Sequence, residues 1–250
     1  MVRLSAHSEE WIRRNHPDPA GKVRLVCLPH AGGSASFFFS MSTKLSPGID
    51  VLAVQYPGRQ DRRHEACIDN IPELADQIFT ALRPLDDLPL ALFGHSMGAV
   101  LAYEVALRME RAGLPSPVRL FASGRRAPSR YRDERVHEKS DAEVAAELRT
   151  LGGISPELLA DPEIIAMIMP AVRGDYRAVE TYRHDPDGRL TCPVTVLTGD
   201  ADPRVSIEEA QAWREHTTGP TDLHVLPGGH FFLVDHSEKV VELLTRTLNG

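Results

Sequence analysis

The stretch Leu88-Pro89-Leu90-Ala91-Leu92-Phe93-Gly94-His95-Ser96-Met97-Gly98-Ala99-Val100 decides how the chain is read. Its first half, Leu88–Phe93, is a short apolar run bounded by proline and glycine, the pattern of a buried strand. Its second half opens a helical pattern that continues from Gly98 to Ala112. The full apolar region, Pro89 to Leu107, is broken by His95, Ser96 and Glu104, so a strand running into a helix is expected rather than a membrane span. Between the two halves, Gly94-His95-Ser96-Met97-Gly98 fits the pattern G-x-S-x-G. A turn tight enough to present a serine needs small neighbours, because side chains at Gly94 and Gly98 would collide with adjacent backbone. The pattern alone arises by chance; its place between a strand and a helix makes it specific, and Ser96 is the expected nucleophile.

Outward from this turn, similar apolar runs occur at Val23–Leu28, Asp50–Gln55, Val118–Ala122, Val194–Leu197 and Leu223–Leu226. Helical patterns at Ile71–Leu82, Ile207–Arg214 and Glu238–Leu248 alternate with them. Strands alternating with helices imply a mainly parallel sheet covered on both faces, an α/β architecture. One interval is too long: roughly seventy residues separate the fourth strand from the fifth, where a βα unit needs about thirty. The segment at about 124–190 is therefore expected to be a helical lid insertion, with helices at Asp141–Leu151, Pro156–Leu159, Pro162–Met169 and Val172–Tyr182, punctuated by Gly152, Gly153 and Pro170. Internal repeats and low-complexity tracts are absent from the sequence, and residues 1–250 are read as one catalytic domain.

A serine hydroxyl is a weak nucleophile at neutral pH, so Ser96 calls for a histidine base downstream and, in this fold's order, an acid between them. His230 follows the last strand in a Gly228-Gly229-His230 loop and has the best context of the eleven histidines. His95 adjoins the nucleophile on a tight turn and should point away from it; His30 lies in a glycine-rich loop, His224 mid-strand and His236 near the last helix. Thr198-Gly199-Asp200-Ala201-Asp202-Pro203 offers two carboxylates after the fifth strand. Asp202 is favoured because Pro203 biases it toward extended backbone, with Asp200 in reserve. The loop Pro29-His30-Ala31-Gly32-Gly33-Ser34 suits an oxyanion hole, with the backbone N–H groups of Ala31 and Met97 as expected donors. Together these residues lead to the expectation of a serine hydrolase whose layout resembles the α/β-hydrolase fold.

Composition narrows the classes. Hydrophobic residues form 42% and charged residues 25% of the chain, ordinary values for a folded domain. Lys and Arg number 28 against 35 Asp and Glu, a formal charge of −7, so a basic nucleic-acid surface is not indicated. Cys27, Cys67 and Cys192 are distant and odd in number, suggesting neither a disulfide framework nor a metal knuckle and fitting a reducing cytoplasm. Cys27 is expected as a packed residue rather than a second nucleophile. Glu9, Glu10, Arg13, Arg14 and Asp18 interrupt any signal-peptide core.

Taken together, Leu28-Pro29-His30-Ala31-Gly32-Gly33, Gln55-Tyr56-Pro57-Gly58-Arg59, Gly94-His95-Ser96-Met97-Gly98, Gly199-Asp200-Ala201-Asp202-Pro203 and Gly228-Gly229-His230-Phe231-Phe232 resemble the type II thioesterases that accompany polyketide synthases and nonribosomal peptide synthetases. Pro170-Ala171-Val172-Arg173-Gly174-Asp175-Tyr176, with Glu180 and Tyr182, is similar to that family's lid region. The resemblance implies hydrolysis of acyl thioesters on the phosphopantetheine arm of an acyl or peptidyl carrier protein, with Asp202 as the acid and neither metal nor cofactor. The net charge and the interrupted apolar run, in turn, lead to the expectation of no nucleic-acid and no membrane partner.

An acidic carrier would suit a docking patch of Arg59, Arg62, Arg63, Arg125 and Arg126. Met167, Ile168 and Met169 are candidates for an acyl channel, although core packing is the readier role. The chain's ends show no linker to a carrier domain, so a free-standing enzyme is expected over a synthase-embedded cyclising one. A carboxylesterase or lipase with the same triad, or a non-catalytic acyl-binding relative, are the alternatives.

Overall fold

The apolar runs pair into one seven-stranded sheet in the computed structural model, which describes residues 5–155 and 157–249. The strands are β1 (Ile12–Arg13), β2 (Val23–Leu28), β3 (Ile49–Val54), β4 (Leu90–His95), β5 (Arg119–Ser123), β6 (Val194–Gly199) and β7 (Thr221–Leu226), in spatial order β1-β3-β2-β4-β5-β6-β7. All neighbours are parallel except β1, which runs antiparallel to β3 at the edge. Every residue of β2, β3, β4 and β6 is buried, as expected of strands covered on both faces.

Alternate residues serve two cores. Val26, Leu28 and Leu92 face the layer containing α1 (Ala6–Trp11), α3 (Ile71–Leu82) and α4 (Met97–Arg111). Leu25, Cys27, Ala91 and Phe93 face the other layer, with α2 (Phe39–Leu45), α8 (Phe232–Asp235) and α9 (Ser237–Asn249). The helices start where capping chemistry places them. Asn70 accepts the Glu73 N–H (2.9 Å) before α3, whose buried Ile71, Leu74, Ala75, Ile78, Ala81 and Leu82 recur at helical spacing.

Between β5 and β6 lies the long insertion, holding α5 (Asp141–Leu151) and α6 (Pro162–Thr181). A Ser140/Glu143 capping box opens α5, and Gly152 ends it at φ 82°, a left-handed position that glycine takes without penalty. Val136, Val144, Leu148, Leu159, Met169, Val172 and Tyr176 form a small core of their own, against which Ala31 packs.

Several expectations need correction. Strand limits move by up to two residues, and the helix expected over Ile207–Arg214 is α7 (Ile207–Gln211) followed by a 3-10 turn, Ala212–His216. The expected break at Pro170 does not occur: α6 runs through it. A mid-helix proline costs about 3 kcal/mol, but Met169 before it and Val172 and Tyr176 after it bury in the same small core, so tertiary packing holds both halves on one axis. Of the expected helix Pro156–Leu159, Pro156 lies outside the described residues and Leu158–Ala160 forms a single 3-10 turn. The charged N-terminal segment, read only as lacking a signal peptide, supplies α1 and β1, and α2 was likewise unanticipated.

Candidate active site

Ser96 sits alone between β4 and α4, in neither element, with φ 54° and ψ −116°. A side chain with positive φ in this region stores about 1–3 kcal/mol of strain, held here by the Ser96 N–H donating to the Ser123 carbonyl (2.8 Å) and the Ser96 carbonyl accepting from the Ala99 N–H (3.0 Å). Both flanking glycines are sterically obligatory. A Cβ on Gly94 would lie 2.1 Å from the Gly98 carbonyl oxygen, and one on Gly98 would lie 2.0 Å from that of Leu28.

His230 arrives from the opposite side of the same sheet edge, on the loop after β7. Its Nδ1 donates to Asp202 Oδ2 (2.9 Å), and the Asp202 side chain is wholly buried, its Oδ1 accepting the Arg204 N–H (2.8 Å). A proton on Nδ1 leaves Nε2 with a lone pair, the form a general base requires. Asp200 does not reach the imidazole; its Oδ1 accepts the Gly228 N–H (2.9 Å) and ties down the loop that carries His230. Of the two carboxylates left open by the sequence, Asp202 is therefore the one on the histidine.

Ser96 and His230 line one cavity of about 50 Å³, together with His30, Ala31 and Phe231 from the sheet edge and Leu148, Leu151, Ile154, Tyr176 and Val179 from the insertion. A larger groove of about 450 Å³, walled by Leu82, Leu85, Leu90, Leu114 and Val118, opens at the N-terminal edge of the strands and holds no candidate site residue. Volume does not choose the site here; the converging polar groups do. The N–H groups of Ala31 and of Met97, the first residue of α4, have no hydrogen-bond partner among the described residues. Both are free to meet an oxyanion.

The four histidines weighed against His230 take other places. His95 is fully buried with Nδ1 on Ser123 Oγ (3.0 Å), and its ring lies 5.1 Å from that of His230. Burial, and then the neighbouring His230, hold the His95 pKa well below the ordinary imidazole value; the same causes push His30 down to about 3. Both remain neutral packing partners at neutral pH. His224 pairs with Asp222, and His236 donates to the Pro227 carbonyl.

One contact set was not anticipated. Asp175, on the buried side of α6, accepts from the Gly32 N–H (2.7 Å) and takes both Nη atoms of Arg59 (2.6 and 2.9 Å), while Arg59 Nη1 also donates to the Gly33 carbonyl (3.1 Å). A Cβ on Gly32, whose φ is 74°, would lie 2.8 Å from Val172 Cγ2. The insertion thus clamps the loop that carries Ala31. A sign of it in the sequence was an aspartate on the apolar stripe of a helix, which requires a cation or donors to face it.

The proposed arginine docking patch is corrected by burial. Arg59 is committed to Asp175, Arg62 to Glu65 and Arg126 to Glu134, and all three are buried. Arg125 is half-buried and lines both the cavity that holds Ser96 and a second, smaller one beside Arg126 and Arg132. Only Arg63 of the five is exposed. Of the three residues weighed between an acyl channel and core packing, Met169 packs inside the insertion with Ile168 against the same core, whereas Met167 takes neither role and points to solvent at 64% exposure. Cys27 is fully buried, and burial pushes its thiol far above the ordinary value, which removes it as a nucleophile.

The family model for the thioesterase domain matches residues 23–248. A probable cadicidin biosynthesis thioesterase of Streptomyces griseus is 52% identical over 96% of this chain and 66% of its own length, so this chain spans just under two thirds of that relative. The thioesterase PikA5 of Streptomyces venezuelae is 48% identical over 95% of this chain and 85% of its own. Among solved structures, the type II thioesterase BorB from the borrelidin biosynthetic cluster superposes with a TM-score of 0.90 at 50% identity, covering 98% of this chain and 100% of that one. Fold, turn geometry and these likenesses converge: the chain belongs to the thioesterase family and carries the α/β-hydrolase fold of its type II members.

Proposed function

We propose that this protein is an editing thioesterase that hydrolyses acyl groups from the phosphopantetheine arm of acyl or peptidyl carrier proteins in polyketide or nonribosomal peptide biosynthesis. The observation that carries the reading is the meeting of a strained Ser96, a His230 imidazole held by buried Asp202, and two unengaged N–H groups around one cavity under α5 and α6.

In the first half-reaction His230 Nε2 takes the Ser96 proton as Oγ attacks the thioester carbonyl carbon. The carbonyl oxygen becomes an oxyanion held by the Ala31 and Met97 N–H groups. Asp202 stabilises the imidazolium. Collapse of the tetrahedral intermediate breaks the C–S bond, and the thiolate leaves with the proton from His230. In the second half-reaction His230 deprotonates a water that attacks the acyl-serine ester, and the proton returns to Ser96 as the carboxylic acid departs. The balance closes with one thioester and one water consumed.

The insertion at about 124–190 acts as the lid in this reading, since α5 and α6 wall the cavity from the solvent side. No helix among the described residues is long and apolar enough to cross a membrane. The free thiols of Cys27, Cys67 and Cys192 support placement in a reducing cytoplasm, where carrier-bound chains are assembled.

A carboxylesterase reading uses the same groups, and substrate comparison separates them. The test measures kcat/KM on an acyl-loaded carrier protein against the same acyl group as a small oxygen ester. Preference for the carrier-bound thioester supports the proposal; preference for the oxygen ester overturns it.

A further inference from the structure

The segment Gln55-Tyr56-Pro57-Gly58-Arg59 takes no step in the reaction above, yet each of its long side chains grips a different residue of the loop that carries Ala31. Gln55 Oε1 accepts the Ala35 N–H (3.0 Å), the Tyr56 hydroxyl donates to the Pro29 carbonyl (3.0 Å), and Arg59 Nη1 donates to the Gly33 carbonyl (3.1 Å). Gln55, Tyr56 and Arg59 are all buried. The turn that aims them is tight: Gly58 stands at φ 81°, and a Cβ there would lie 2.2 Å from Cys67 Sγ.

Tyr56 acts where the segments carrying the two oxyanion donors meet. The carbonyl it holds belongs to Pro29, two residues before Ala31, and a Cβ on Gly98, the neighbour of Met97, would lie 2.8 Å from that same carbonyl oxygen. The Pro29 carbonyl is thus the seam between the loop that presents the Ala31 N–H and the turn that presents the Met97 N–H. Tyr56 is itself held fast, fully buried just beyond β3 in the core that contains Leu28, Val54 and Met97. Burial, and then the Asp175 charge, keep its phenol well above the ordinary pKa, so it remains an O–H donor at neutral pH.

We infer that Tyr56 is a positioning residue for the oxyanion hole: its hydroxyl fixes the Pro29 carbonyl and, with it, the spacing between the Ala31 and Met97 N–H groups. The inference rests on the thioesterase reading above, which chooses those donors. Two donors stabilise the tetrahedral intermediate only when they converge on its oxygen, a position the planar ground-state carbonyl does not occupy. A widened hole therefore loses transition-state stabilisation while substrate binding is kept.

The test measures kcat and KM on a propionyl-loaded carrier protein, and the inhibition constant of propylboronic acid, whose tetrahedral adduct with Ser96 puts an oxygen where the oxyanion forms. It compares the native protein with Tyr56→Phe and with Tyr103→Phe. Tyr103 is the control, since its hydroxyl also donates to a carbonyl, that of Gly188 (2.6 Å), but it does not line the cavity. Rates are expressed per Ser96 titrated to completion with a fluorophosphonate, so unfolded protein is not counted. Tyr56→Phe is expected to lower kcat about tenfold, hold KM within about twofold and weaken the boronate by the same factor as kcat, while Tyr103→Phe leaves all three within about twofold. Should Tyr56→Phe not fold, Gln55→Met, which frees the Ala35 N–H at the other end of the loop, is read the same way with an expected loss of about threefold. Unchanged kcat and boronate affinity in the folded variant, a rise in KM alone, or an equal loss in Tyr103→Phe overturns the inference. If the native protein turns over no carrier-bound acyl group, it is the thioesterase reading that fails, and the same ratios on p-nitrophenyl propionate then test Tyr56 separately.

Discussion

The sheet edge and the insertion build the two halves of one cavity by different physics. At the sheet edge, Ser96, Asp202 and His230 are set by backbone: a left-handed turn enforced by two glycines, buried strands, and a loop braced by Asp200. In the insertion, α5 and α6 are held by a small separate core and by one buried ion pair, Arg59 with Asp175, that reaches across to the oxyanion loop. The chemistry therefore rests on a backbone turn whose two glycines admit no side chain. Its coverage rests on side-chain packing that can be retuned.

Ways to break this comparison follow in order of expected size. Ser96→Ala should lower turnover of carrier-bound acyl groups by about 10⁴-fold or more without changing the fold, as assayed by acyl release and circular dichroism. Asp202→Asn, which keeps the shape but loses the acceptor that fixes the imidazole tautomer, should cost about 10³–10⁴-fold in kcat with little change in KM. Asp175→Asn should act on both halves. Leaving Arg59 without its carboxylate should reduce unfolding free energy by about 3 kcal/mol in denaturant melts and lower kcat by about 10–100-fold through the loosened Gly32 N–H. If kcat survives while stability falls, the clamp is structural only.

Within the insertion, Val179→Ala should leave propionyl turnover within about threefold and raise activity on longer acyl chains by about tenfold, since one methylene-scale change in an apolar wall is worth roughly 1–3 kcal/mol. The smallest effect concerns protons. His30 and His95 have folded pKa values below the unfolded value, so the folded state binds fewer protons. Their contribution is complete above about pH 6.5 and is lost as pH falls from there toward about 3, the value for His30. Each should steepen the acid arm of stability by up to about 1.4 kcal/mol per pH unit, and His30→Gln should remove one such share in urea melts between pH 6.5 and 4.

What was legible in the sequence follows the same division. The turn at Gly94–Gly98 imposes its own context, and the strands around it declare themselves as fully apolar runs, so the sheet and the placement of Ser96 and His230 could be read locally. Asp202 was separable from Asp200 only weakly, because both follow one strand; the structure places one on the imidazole and the other on Gly228. The insertion was legible as helical but not in detail. Pro170 reads as a break until the burial of Met169 and Val172 together is known. The arginines mislead for a related reason: Arg59 and Arg126 look solvated in sequence, and only the fold brings Asp175 and Glu134 to them. Long-range pairing carries no local pattern.

The central claim is that Ser96 accepts the acyl group from a carrier-bound thioester. It is tested most directly by quenching the protein at early times after mixing with acyl-loaded carrier and measuring intact and peptide masses. The account predicts an adduct of the acyl mass on the peptide containing Ser96, forming before free acid and absent from Ser96→Ala, which should release no acid above background. Release of acid by Ser96→Ala at the native rate, or an adduct mapping to another residue, would contradict it.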